Sequence, residues 1–271
     1  MATDLSGVAA DSAPATPSAT PARGVPRPHR VRFGFIYGGL AAILVAAIAG
    51  VAVLASRSIN PGPSWSAWKP SGGGQGAAKQ IAEHVAKAYR LPTGEQMVDV
   101  ISKAPSVSPS STATIPIHYV AVRGRTRASN KDYPISSTNS VMYSLCGLGA
   151  SCSIATGKAS IERGRLVRRE IFELALYTFK YVGGIDSVIA FMPPQPGTTP
   201  KYTVYLRKDD LKAQLEKPLV TTLAAKAPLP KTIPAREVRT IDAVTTPHVY
   251  SFSLAQSQTG DLILVLAPLP A

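Results

Sequence analysis

At 271 residues, 45% apolar and only 17% charged, the chain can bury one large core or two small ones and is not disordered throughout. Its 29 basic and 16 acidic residues give a net charge of +13, which favours anionic neighbours such as lipid head groups, acidic wall polymers, nucleic acid or an acidic protein, without choosing among them. P-loop, HExxH, dinucleotide and GxSxG patterns are absent, so no nucleotide, zinc-protease or nucleophile-elbow chemistry announces itself.

Residues 1–32 are mostly Ala, Pro, Ser, Thr and Asp, followed by Arg23, Arg27, Arg30 and Arg32. Such a segment has too little apolar surface to bury and is expected to be a disordered tail. Residues 33–55 then run for 23 positions without a charge, about 35 Å as a helix. A bilayer core needs about 30 Å, so the run is predicted to be a transmembrane helix. Phe33, Phe35 and Tyr37 stand where an interfacial aromatic belt belongs.

Four arginines precede this run, against Arg57 and Lys69 after it, which places the N-terminus in the cytoplasm by the positive-inside bias. A cleaved signal peptide ending at Val53-Leu54-Ala55 is the alternative, but the apolar run is longer than a signal h-region. Gly34, Gly38, Ala42, Ala46 and Gly50 recur every four residues and form a candidate face for helix self-association. An alanine-rich span also yields such spacings by composition alone. Beyond the run, 25 basic and 14 acidic residues leave the outer part basic by +11.

Residues 56–76, with Pro61, Pro63, Pro70 and Gly72-Gly73-Gly74, read as a linker. It holds the only two tryptophans, Trp65 and Trp68, which either rest on the membrane surface or pack on the following domain; packing is preferred because they lie ten or more residues past the apolar run. That domain spans residues 77–271. A helix over 77–90 follows from Ala78, Ile81, Ala82, Val85 and Tyr89, with Leu91-Pro92 ending it. Strands are predicted at 95–102, 114–123 and 138–146.

Cys146 and Cys152 are the only cysteines, separated by the five residues GLGAS, a short glycine-bearing loop. Outside a membrane they are expected to form a structural disulfide. The spacing does not fit a CxxC redox motif, and no histidines stand at metal-ligand spacing to them.

The longest helix is predicted over 160–181, with Ser160 as N-cap and Gly183-Gly184 as terminator. Its stretch IFELALYTF is apolar nearly all round, so it belongs under a sheet. Lys158, Arg163, Arg165, Arg168 and Arg169 crowd its start, where cations oppose the helix dipole. Either an anion binds there or internal carboxylates answer the charge: Glu162 with Arg165, Arg169 with Glu173, or Glu170 with an upstream arginine.

A strand at 186–192, the turn PPQPG, a strand at 201–207 and a short helix at 209–216 come next. A proline-punctuated connection runs to 235. Strands at 248–256 and 262–267 close the chain as a hairpin turning at 258–261. The absence of regular βαβ alternation gives an α+β fold, with a mixed or antiparallel sheet packed on one long helix.

His84, His118 and His248 are available to a Ser–His–Asp set, but nothing nominates a serine, and the sparse acidic residues argue against a carboxylate-pair glycosidase. The reading these features carry is a single-pass plasma-membrane protein with an extracytoplasmic domain that works by binding or assembly in a bacterial-type cell envelope. An anchored hydrolase acting on envelope material is the alternative, and a thiol-redox protein comes after it. Expected partners are membrane lipid, an anionic envelope component or membrane protein, and a second copy through the transmembrane helix. No nucleic acid, metal or cofactor is expected.

Overall fold

The computed structural model describes residues 43–44, 64–107, 114–124, 133–136 and 139–269. The expected tail, the membrane helix and its small-residue face therefore lie outside the described residues, apart from helical Ile43 and Leu44. Among the described residues no helix is long and apolar enough to cross a membrane. The elements below all belong to the unit Gly62–Ala271.

Nine strands form one mixed sheet: β1 (Val98–Lys103), β2 (Ser106–Val107), β3 (Ile115–Val122), β4 (Tyr133–Ser136), β5 (Ser140–Gly147), β6 (Ser187–Phe191), β7 (Tyr202–Arg207), β8 (Val249–Gln256) and β9 (Leu262–Pro268). Their order is β1-β5-β6-β7-β8-β9-β3-β2, with β4 added on β3. The β5–β6 and β3–β9 pairs are parallel and the others antiparallel. The eight-strand path curls into a nearly closed barrel.

That curl follows from strands that are apolar on both faces. Val141, Tyr143 and Leu145 of β5, Val188 and Ala190 of β6, and Val204 and Leu206 of β7 point to the helices. Their alternates Met142, Ile189 and Tyr205 point the other way and meet Ile117, Val120, Tyr250, Leu264 and Leu266 from β3, β8 and β9. A sheet with two apolar faces needs two covers, and here the second cover is the rest of the sheet itself.

Among the described residues three main helices, with the single turns Lys212–Leu215 and Leu219–Thr222 beside them, form the first cover: α1 (Gly74–Ala88), α2 (Ile161–Tyr181) and α3 (Ala235–Thr245). Helix α1 buries Ala77, Ala78, Ile81, Ala82, Val85 and Ala86, a stripe at the helical repeat. Ser160 caps α2 by accepting the Arg163 N–H at 3.2 Å, and Gly184, at φ 74°, takes the chain out of it. From Leu166 to Phe179 nearly every residue of α2 is buried, as expected of a helix lying under a sheet. It is also the crossover of the β5–α2–β6 unit, which is what makes β5 and β6 parallel.

Two strands and α3 were not foreseen from sequence. Both missed strands are short, two residues for β2 and four for β4. Helix α3 starts right after Pro234 and buries Glu237, Ile241 and Thr245, a stripe hidden from hydropathy because two of its three members are polar. The cover is accordingly three helices rather than one.

Residues 64–73 carry Trp65 and Trp68 onto the helices. Trp68 stacks on His84 of α1 at 3.9 Å between rings, while Trp65 meets Tyr177 and Tyr181 of α2 edge-on. Leu219 N–H donates to the Trp65 carbonyl at 2.7 Å, and Lys180 lies over the Trp65 ring. Trp68 thus touches both α1 and α2 while Trp65 packs on α2, so of the two readings, membrane surface or domain, the tryptophans pack on the domain.

Candidate functional site

The chain reaches the start of α2 through the disulfide loop. Cys146, in β5, and Cys152 are bonded, with their Cα atoms 4.4 Å apart. The loop folds back so that Gly149 N–H donates to Ser153 O at 2.8 Å. Gly147 lies directly beneath the Ser153–Ile154 backbone, and a Cβ there would run into it. This close approach sets Ile154 against the main core and starts the segment 154–160 that delivers Ser160 to the helix.

Opposite stands the β6–β7 hairpin. Met192 N–H donates to Tyr202 O at 3.0 Å, and Thr198 closes on the Gln195 carbonyl through both its N–H and its hydroxyl. Pro193, Pro194 and Pro196 fix three φ angles in it, so this wall is stiff. Between hairpin and helix start lies a groove of about 320 Å³. Ile154, Val167, Met192, the three prolines and Tyr202 give it an apolar lining, and Arg163 and Lys201 give it two cations.

The five basic residues that the sequence grouped as one candidate anion site separate in the structure. Arg165 presents Nε to both oxygens of Asp242 on α3, at 3.1 and 3.0 Å. Arg168 donates to the same carboxylate at 2.7 Å and to the hydroxyls of Thr245 and Thr246. Partial burial pushes the Asp242 carboxyl up, but the hydrogen bonds from Arg165 and Arg168 outweigh it and hold it below its usual range. Arg169 is fully buried and donates to Glu237 at 2.7 Å, to Glu173 at 3.2 Å, to the Tyr89 hydroxyl and to the Ala224 carbonyl.

Only Arg163 of the five lines the groove, while Lys158 is exposed between Gly157 and Ala159, which do line it. The Arg163 guanidinium lies across Gly157, whose φ of 80° and missing Cβ make room for it. Among the described residues no carboxylate forms an ion pair with Arg163 or Lys201. Nearby Glu162 turns elsewhere. Its own backbone N–H and the Ser160 hydroxyl hold its carboxyl below the usual range, with smaller help from Arg165 and Lys231.

Lys201, Met192 and Tyr202 were missed as site residues, because nothing in a sequence brings a hairpin to a helix start. The three prolines of the turn were the available signal, since a rigid turn is a poor connector and a good wall. The histidines do not converge. His84 is stacked on Trp68, His118 lies 3.3 Å from Asp261, and His248 lies 3.8 Å from Asp210. Among the described residues no group of three or more His, Cys, Asp or Glu side chains could hold a metal ion. No protein family, curated protein or solved structure matches this chain.

Proposed function

We propose that this chain is a membrane-tethered module of the cell envelope whose outer domain works by binding. Its ligand is an anionic group on an apolar body, taken into the groove between the start of α2 and the β6–β7 hairpin. The carrying observation is the pairing of unanswered charge with an apolar wall. Arg163 and Lys201 line a groove whose apolar wall is three prolines, Met192, Val167, Ile154 and Tyr202, with Ser160, Gln195, Thr198 and Thr199 adding neutral polar groups. Charge that a protein does not neutralise internally, at the positive end of a 21-residue helix, favours a carboxylate or phosphate.

Asp242 already occupies Arg165 and Arg168, so the available cations are Arg163 and Lys201, with Lys158 beside them. Placement at the outer face rests on the charge asymmetry around residues 33–55 and agrees with a disulfide in an oxidising compartment.

The test is a thermal shift on the full-length protein, comparing phosphate and a short alkyl phosphate with chloride at equal ionic strength. Ligand at ten times its Kd stabilises by about 1.4 kcal/mol, a rise of a few degrees for a domain of this size. The alkyl phosphate should exceed phosphate, and the double change Arg163→Gln and Lys201→Gln should remove both effects. Equal shifts in all three salts would reduce the groove's cations to a solvated basic face.

A further inference from the structure

Glu170 stands one position past Arg169 on α2 and is fully buried. Neither of its carboxyl oxygens has a hydrogen-bond partner among the described residues, so the expected pairing of Glu170 with an upstream arginine does not form; Arg165 and Arg168 are taken by Asp242 and Arg169 by Glu173 and Glu237. Buried acids are normally paired or bonded, and a bare carboxylate in a core is far too costly to persist. Tyr89 and Glu173 act on it electrostatically, and both belong to a cluster that three elements build. Helix α1 ends on Tyr89, whose hydroxyl donates to Glu173 at 2.6 Å. Helix α2 itself brings Arg169 and Glu173, and α3 brings Glu237, which pairs with Arg169 and accepts the Ala224 N–H at 2.7 Å. From the sheet, Tyr143 is buried too, its hydroxyl bonded to Thr178 at 2.8 Å.

The one guanidinium in this cluster is fully committed. Its Nε goes to Glu237, its Nη1 to Tyr89 and Glu173, and its Nη2 to the Ala224 carbonyl. Two carboxylates already share one positive charge, and a third has no cation to meet. We propose that Glu170 is a proton-operated latch where α1 meets α2. Protonated, it packs as a neutral side chain and the seam closes; ionised, it opens the seam to water. Burial, with Glu173 adding to it, pushes the Glu170 carboxyl well above its usual range, so the proton is held through conditions in which exposed carboxyls have lost theirs.

The sign follows from proton counts. Between the ordinary carboxylate value of about 4.3 and the raised folded value, the folded chain holds one proton more than the unfolded chain. Stability contributed by this site is therefore fully present below that window and falls as pH rises through it. The chain carries its own reporter, since Trp65 and Trp68 are its only tryptophans, Trp68 touching His84 of α1 and Tyr177 of α2 and Trp65 packing on α2.

Denaturant unfolding of the full-length protein, followed by tryptophan emission from pH 5 to 9, tests the latch against Glu170→Gln. Relative to the variant, the parent's folding equilibrium constant should fall by up to tenfold per pH unit. A pH-dependent change in native emission should be present in the parent and missing from Glu170→Gln. His84, which burial and then Lys87 push below its usual value, gives a separate acid-side change common to both proteins. Glu170→Met is the second neutral variant and should behave as the glutamine does. Parallel pH profiles in parent and variant, or a variant less stable than the parent at pH 8, would overturn the proposal. So would failure of both neutral variants to fold, because a latch that is neutral when closed accepts a neutral side chain. Loss of the alkaline slope in Glu173→Gln instead would move the proton to Glu173 and equally sink it.

Discussion

Asp242 decides how the basic start of α2 is resolved. One carboxylate on α3 takes Arg165 through Nε and Nη2 and Arg168 through Nη2, at distances from 2.7 to 3.1 Å. Cations at a helix N-terminus cost stability, so this carboxylate offsets a local penalty as well as joining two helices. The site is one-third exposed, which screens it, and Asp242→Asn should cost about 1–2 kcal/mol at pH 7 rather than the larger loss of a buried pair. Because the folded carboxyl sits below its ordinary range, its contribution is present above about pH 3.9 and disappears as pH falls through the folded value. Denaturant unfolding of parent and variant at pH 7 and pH 3 should therefore show a gap that narrows in acid. An unchanged gap would mean the carboxylate stabilises by shape alone.

At the scale of elements, the disulfide loop and the β6–β7 hairpin are the two walls that make a groove out of a helix end. Closing residues 146 to 152 is worth about 2–3 kcal/mol by loop-closure entropy. Ser151 and Cys152 also hold positive φ angles of 53° and 61°, which non-glycine residues adopt rarely. Replacing both cysteines with serine should destabilise the domain by about that amount and weaken any phosphate-specific shift, since Ile154 follows directly. A double variant with parental stability but no ligand response would point to chemistry at the sulfurs instead.

These elements were unequally legible. Seven of the strands and both long helices follow from alternation and helical spacing, because each has an apolar face to reveal it. Helix α3 does not, since its buried stripe contains Glu237 and Thr245, and polar residues that find partners inside a protein read as surface in a sequence. The same blindness hides the burial of Glu170, whereas the Arg169–Glu173 pair was legible from its i,i+4 spacing. The grouping of five cations along one chain segment was visible, but which of them Asp242 and Glu237 would claim depended on α3, and so did the identity of those left to the groove.

For the whole molecule, the described unit holds two hydrophobic cores on the two faces of one curled sheet, with the groove at one edge of the helical layer. Residues 64–73 are fastened to that layer by Trp65 and Trp68. The binding reading depends on the proposal that the preceding chain is a membrane anchor and the domain faces outward. Single cysteines at Ser71 and at Thr16, probed with a membrane-impermeant thiol label in intact cells, test it most directly. The native pair is bonded and should stay silent until a reductant is added. The account predicts labelling of Ser71→Cys in intact cells and of Thr16→Cys only after permeabilisation. Labelling at residue 16 with protection at residue 71 would contradict it, as would recovery of the domain free in the medium as a product beginning at Ser56.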